Sequence, residues 1–155
     1  SGKVAAVIFE RLQAAAGDGR LTAEATLKLT PARMRALGLS RQKIGYIRDL
    51  ARHTQSGAAD FAALSGMKDE EVVRVLTSLK GVGVWTAQMF LIFALRRKDV
   101  LPSGDLGIRA AVRRAYGFEV LPAPAEVDAV GEKWRPYRTV ASWYLWRSIE
   151  PNANL

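Results

Sequence analysis

No cysteine occurs anywhere in the 155 residues. That excludes disulfides, thiolate zinc sites and cysteine-ligated iron–sulfur clusters at once, and it suits a reducing compartment without requiring one. Histidine is almost as scarce. His53 stands alone in a basic stretch with no metal-ligand neighbour, so it reads as incidental. Long hydrophobic runs are missing too: the longest, Val84 to Leu95, is interrupted by Thr86 and Gln88 and falls short of the roughly 20 residues a bilayer requires. No signal-peptide pattern opens the chain. These absences lead to the expectation of a soluble, intracellular protein without a membrane partner. Convincing strand patterns, internal repeats, low-complexity segments and flexible linkers are likewise lacking.

Acids are the minority charge. Lys and Arg number 23 against 15 Asp and Glu, giving a net charge of +8 and a pI near 10.2. Such an excess favours a polyanionic partner, because basic surface displaces counterions from phosphate. A basic but merely solvated surface accounts for the total equally well. The distribution is uneven: from Lys28 to Arg52, seven basic residues (Lys28, Arg33, Arg35, Arg41, Lys43, Arg48, Arg52) face one acid, Asp49.

What is present in abundance is helical periodicity. Hydrophobic residues make up 49% of the chain, an ordinary globular proportion that fits one domain with a substantial core. Val4, Ile8, Leu12 and Ala15 recur at helical spacing, so the chain opens inside a helix. Thr22 caps a short helix carrying Leu27 and Leu29. Thr30-Pro31 is an N-cap followed by a first-turn proline, in a helix that stops at Leu37-Gly38. Ser40 caps the next, with Ile44, Ile47, Leu50 and Ala51 on one face. Asp60 begins a short turn that Gly66 closes. From Lys68 to Ser78 a stripe of Val72, Val75, Leu76 and Leu79 follows three acids in the first turn, where the helix dipole favours them. An apolar helix is predicted over Val84 to Leu95, another over Asp105 to Tyr116, a short one over Glu126 to Val130 and a last over Tyr137 to Ile149. About ten helices with short connectors describe an orthogonal all-α domain spanning residues 1–155.

The most specific local signal is the stretch from Leu76 to Ala87. An apolar helix end leads into Gly81-Val82-Gly83 and then an apolar helix start, a hairpin over about 72–96. Two glycines let the backbone turn sharply and approach a neighbour closely. Amides freed at the start of the second helix point outward, where a phosphate oxygen can accept from them. On this reading Lys80, Gly81, Val82, Gly83, Val84 and Thr86 bind DNA phosphate independently of sequence, with Val82 anchoring the turn in the core. A glycine C-cap joining two packed helices is the plainer alternative. Further on, Leu101-Pro102-Ser103-Gly104-Asp105 places Asp105 where an N-cap belongs.

Hairpin and Pro-x-x-Asp together closely resemble the helix-hairpin-helix (HhH-GPD) DNA glycosylase superfamily, and within it the 3-methyladenine DNA glycosylase II branch. The resemblance rests on Leu79 to Ala87, Leu101 to Val112, Leu39 to Ala51, and Trp134-Arg135-Pro136-Tyr137-Arg138 with the Trp-Tyr-Leu-Trp that follows. It covers nearly the whole chain. It implies base excision repair by a monofunctional hydrolase acting on alkylated purines such as 3-methyladenine in double-stranded DNA. Asp105 matches the catalytic carboxylate. Trp85 stands where bifunctional lyases of the superfamily place a nucleophilic lysine, and a tryptophan forms no Schiff base. Trp85 and Trp146 match aromatic base-pocket positions. Met89 joins them at a position that is aromatic in some relatives, which bears on lesion preference. Core packing is the competing role for the tryptophans, since Trp143 and Tyr144 already gather aromatics on one buried helix.

The resemblance further implies a structural Na+ or K+ on the main-chain carbonyls of Thr77, Leu79 and Val82, with no other cofactor required and no iron–sulfur cluster. It implies a monomer in the cytoplasm or nucleoid of a bacterium or the nucleus of a eukaryote. The chain begins at Ser1-Gly2-Lys3-Val4-Ala5, which looks like the interior of a family helix. The expectation is therefore an N-terminally truncated core, lacking the first helices with their DNA-wedging residue and any β domain. Three other functions remain open from the residues: a glycosylase for other damaged or mismatched bases, a catalytically silent helix-hairpin-helix DNA-binding module, and a helical scaffold that binds another protein and whose charge serves solubility.

Overall fold

The computed structural model describes residues 2–17, 19–58 and 60–150. Ser1, which the sequence reading sets inside the opening helix, lies outside them, as do residues 151–155 of the expected domain. Among the described residues there are nine α-helices and two 3-10 turns, with no strand. The helices are α1 Gly2–Ala15, α2 Ala23–Lys28, α3 Pro31–Ala36, α4 Arg41–Gln55, α5 Asp69–Thr77, α6 Val84–Phe93, α7 Leu106–Tyr116, α8 Pro124–Gly131 and α9 Arg138–Ile149. They form two compact units, Ser1–Val82 and Gly83–Leu155.

In the first unit the helix starts follow from hydroxyl capping. Thr22, Thr30 and Ser40 accept from the amides of Ala25, Arg33 and Lys43 at 3.1, 3.1 and 3.2 Å, each such cap contributing about 1 kcal/mol. Leu12 of α1, Met34 of α3, Leu37, Leu39 and Ile44 of α4 are buried together, with Ile8, Leu21, Leu29 and Ile47 packed around them. Arg48, one of the seven clustered cations, is spent on structure: its Nη1 donates to the Leu29 carbonyl at 2.7 Å. In α5, Val72 and Leu76 are buried, and the Lys68 amide donates to Glu71 Oε2 at 3.1 Å, satisfying one of the donors a helix start leaves free.

The second unit is built on α7 and α9. Ile108, Ala111 and Val112 of α7 pack with Leu101, Val127 of α8 and Leu145 of α9. Full burial of a side chain such as Ile108 contributes about 1.5–3 kcal/mol. The loop ahead of Leu101 is tied to the start of α9. Thr139 Oγ1 accepts from the Val100 amide at 3.0 Å and donates to the Arg97 carbonyl at 2.7 Å. Arg138 Nε and Nη2 donate to the two carboxylate oxygens of Asp99 at 2.7 and 3.0 Å. That contact is first among the causes holding the Asp99 carboxyl below its usual range.

Two sequence expectations shift here. The helix predicted over Val84 to Leu95 ends at Phe93. Beyond it the Leu95 amide reaches back to the Phe90 carbonyl at 3.1 Å, and Arg96 takes a left-handed φ of 54°. No glycine or proline marks that stop, which is why periodicity overran it. Val82, expected to anchor the turn in the core, is half-buried; the buried leucines beneath the hairpin are Leu76 and Leu79.

Candidate active site

Asp105 is delivered by a tight turn. The Ser103 amide donates to the Leu101 carbonyl and the Asp105 amide to the Pro102 carbonyl, both at 2.9 Å, and Leu101 and Pro102 are buried. The chain then enters α7, and Asp105 Oδ1 caps it by accepting from the Ile108 amide at 2.9 Å. So far this is an ordinary N-cap.

Two further donors make it something else. Trp85 Nε1–H of α6 donates to Asp105 Oδ2 at 2.7 Å, and Trp146 Nε1–H of α9 donates to Oδ1 at 3.0 Å. A helix cap needs neither. Indoles 20 and 41 residues away in the chain converge on one carboxylate, which explains the burial pattern of Trp85: 52% of its surface is exposed, so core packing does not account for it. Burial pushes the Asp105 carboxyl up, but N–H donation from Ile108, Trp146, Trp85 and Gly107 outweighs that and holds it below its usual range. Hydrogen bonds to the ionised form always act in this direction. The result is a fixed, ionised carboxylate whose lone pairs are largely engaged, better suited to holding negative charge in place than to taking up a proton.

Gly107 is a site residue that the sequence did not single out. A side-chain carbon there would lie 3.0 Å from Asp105 Oδ1 and 3.3 Å from Trp146 Cδ1, tighter than ordinary contact. The absence of a side chain lets α7 present its first turn this close to both without displacing either by the few tenths of an ångström a methyl would demand. Phe93 and Trp143 were missed as well. Phe93 lies stacked with Trp146 at a centroid separation of 6.3 Å, and Trp143 meets both rings edge-on, at 5.6 Å from Phe93 and 6.3 Å from Trp146. The expectation that Trp143 and Tyr144 lie on a buried helix face is corrected, since they are 49% and 68% exposed. No spacing rule in a single sequence separates an aromatic beside a site from one in the core. Met89 follows Trp85 by one turn of α6, on the same face, and is half-buried.

The hairpin residues have their own geometry. Lys80 and Gly81, at the end of the first unit, and Gly83, Val84 and Thr86, at the start of the second, are exposed. Gly81 has a left-handed φ of 80°, and a side-chain carbon on it would overlap the ring of Tyr46. Gly83 is the N-cap of α6, and its carbonyl accepts from the Ala87 amide at 3.0 Å. Around Thr77, Leu79 and Val82 the available ligands are neutral carbonyl oxygens. That of Leu79 already accepts from the Val82 amide at 3.2 Å, leaving its second lone pair. Hard, uncharged oxygens suit an alkali cation better than a divalent or soft metal. Among the described residues no group of three or more His, Cys, Asp or Glu could hold a metal ion. Among them, too, no helix is long and apolar enough to cross a membrane.

The chain is similar to known proteins. Residues 1–136 match the family model of the HhH-GPD superfamily base excision DNA repair protein. A DNA-3-methyladenine glycosylase of Schizosaccharomyces pombe is 36% identical over 148 residues, covering 94% of this chain and 65% of that protein. The solved structure of the S. pombe 3-methyladenine DNA glycosylase in complex with abasic DNA superposes with a TM-score of 0.86 at 36% identity, over 94% of this chain and 72% of that one. A DNA-3-methyladenine glycosidase from Bacillus halodurans gives a TM-score of 0.85, also at 36% identity, over 96% of this chain and 68% of that one. The chain thus spans about two thirds of the length of these relatives.

Proposed function

The chain belongs to the HhH-GPD superfamily of base excision DNA repair proteins, and we propose that it is a monofunctional DNA N-glycosylase releasing alkylated purines such as 3-methyladenine from duplex DNA. The observation that carries this reading is the convergence of Trp85, Trp146 and the α7 N-terminus on Asp105. A DNA-binding module without chemistry has no use for such an arrangement.

The lesion base is flipped out of the stack to reach the carboxylate. As the bond between sugar C1′ and the base nitrogen breaks, its electron pair leaves with the base and positive charge builds on the sugar. Asp105, already ionised, lies against that charge and stabilises it. Water then adds to C1′ and releases a proton, leaving an abasic site. An N-alkylated purine is itself cationic, so the aromatic rings of half-exposed Trp85 and half-buried Trp146 favour it by about 0.5–2 kcal/mol. Met89, beside Trp85, shapes the same wall. Lys80, Gly81, Val82, Gly83, Val84 and Thr86 hold the phosphate backbone, and the carbonyls of Thr77, Leu79 and Val82 would hold a Na+ or K+ that stiffens the turn. The protein acts as a monomer on double-stranded DNA. No lysine stands at the Trp85 position, so there is no amine to form a Schiff base and cut the strand.

Product analysis tests this. Incubation with methylated duplex should release free alkylated purine and leave strands that break only after hot alkali. Direct strand cleavage, or a borohydride-trapped protein–DNA adduct, would contradict the monofunctional assignment. Intact DNA despite tight binding would favour a silent module.

A further inference from the structure

Helix α4 carries the wrong charge for a helix start in its first turn. Arg41 and Lys43 stand in its first turn, where no acid is found, and both are exposed. Cations there oppose the helix dipole, an arrangement that is unfavourable for the isolated protein and becomes favourable when an anion sits nearby. One turn further on, the ring of Tyr46 packs closely on Gly81: a side-chain carbon on Gly81 would overlap Tyr46 Cγ, Cδ2 and Cε2. Gly81 therefore has to lack a side chain for two separate reasons, its φ of 80° and this ring. The Tyr46 hydroxyl is not buried in that contact. It accepts a hydrogen bond from Gln42 Nε2 at 2.7 Å, in an exposed position.

We propose that Tyr46 is a phosphate-binding residue, its phenol O–H donating to a phosphodiester oxygen of DNA that lies along the hairpin and the first turns of α4. The inference rests on reading the chain as a DNA-binding repair enzyme. Three features support it. The ring contact with Gly81 fixes the phenol beside the turn that binds backbone phosphate. The Gln42 donor fills an acceptor position on the hydroxyl, which leaves the phenol proton available to donate and polarises it toward a stronger donor. Arg41 and Lys43 supply positive potential on the same helix end. Tyr46 itself is neutral, so its contact displaces no counterion.

That neutrality gives the test its discriminating power. Binding of the chain to a labelled duplex containing a tetrahydrofuran abasic analogue is measured over a series of KCl concentrations for wild type, Tyr46→Phe and Lys80→Ala. Phenylalanine keeps the ring on Gly81, so the Tyr46→Phe protein should unfold at the wild-type temperature. Its affinity should fall about ten- to hundredfold, as expected for one lost hydrogen bond from a neutral donor to an anionic phosphate, and by the same factor at every salt concentration. Lys80→Ala should instead reduce the log–log salt slope by about 0.9. Wild-type affinity in Tyr46→Phe would overturn the proposal, and so would a loss accompanied by a slope change as large as that of Lys80→Ala. Failure of wild type to bind the duplex at any salt would overturn the DNA-binding reading itself and the proposal with it.

Discussion

An aspartate that begins a helix has one obvious employment, and Asp105 fills it through the Ile108 amide. Its remaining acceptor capacity goes to two indoles, and this division of labour has a consequence for pH. Because the folded carboxyl is held below the usual aspartate range, Asp105 stays ionised to lower pH than a free aspartate. Its donors stabilise the fold above the ordinary aspartate value, and that stabilisation is lost as pH falls through the depressed one. Removing one donor while leaving the burial should raise the carboxyl. Trp146→Phe is therefore expected to move the acid limb of the single-turnover pH profile upward, with the rate falling more on that limb than at pH 8. Equal losses at both would show that Trp146 acts by stacking alone. Gly107→Ala is expected to slow base release at least tenfold, because its new methyl presses on both Asp105 and Trp146 and small displacements of a reacting group are costly. Wild-type rates in that variant would argue against a crowded site. At this scale the sequence carried Asp105, Trp85 and Trp146 through motif resemblance. Gly107, Phe93 and Trp143 were illegible, because close approach and ring stacking depend on partners far along the chain.

At the scale of single elements, local chemistry was more readable than packing. Thr22, Thr30 and Ser40 were legible as caps because a hydroxyl ahead of an apolar period has a short-range purpose, and each accepts the expected amide. The end of α6 was not, since Arg96 adopts its left-handed conformation without a residue type that announces it. Nor could the exposed apolar side of α6 be foreseen. Val84, Trp85 and Phe93 are each more than half exposed in a helix whose composition suggests burial all round. Two elements make testable contributions to stability. Gly81→Ala combines a left-handed conformation, costing about 1–2 kcal/mol, with overlap on the Tyr46 ring, costing about 1–3 kcal/mol more. Denaturant unfolding should show a loss of at least 2 kcal/mol. Thr139→Val leaves the Val100 amide and the Arg97 carbonyl without their hydroxyl partner, and is expected to cost about 1–3 kcal/mol by the same measurement.

For the molecule as a whole, the net charge of +8 overstates what is free to meet a polyanion. Arg48 is engaged with the Leu29 carbonyl, and Arg135 and Arg138 with Asp99. Exposed cations at the hairpin and the start of α4, Lys80, Arg41 and Lys43, remain. At about 0.9 per phosphate, they predict a log–log salt slope of at least about −2.5 for duplex binding. A slope near zero would return the charge to a solubility role. Composition alone could not make that distinction, because it counts arginines without showing which are spent on carbonyls and carboxylates. The all-helical architecture was legible throughout, since helical periodicity and capping signals agree along the chain. The division into two compact units was not, as nothing in composition changes at Val82-Gly83. The central claim remains the chemistry at one carboxylate. Single-turnover release of 3-methyladenine from alkylated duplex, compared between wild type and Asp105→Asn, tests it most directly. The asparagine keeps the shape of the side chain and removes its charge, and the account predicts a rate loss on the order of 10²-fold or more with DNA binding retained. Release at the wild-type rate from the Asp105→Asn protein would contradict it.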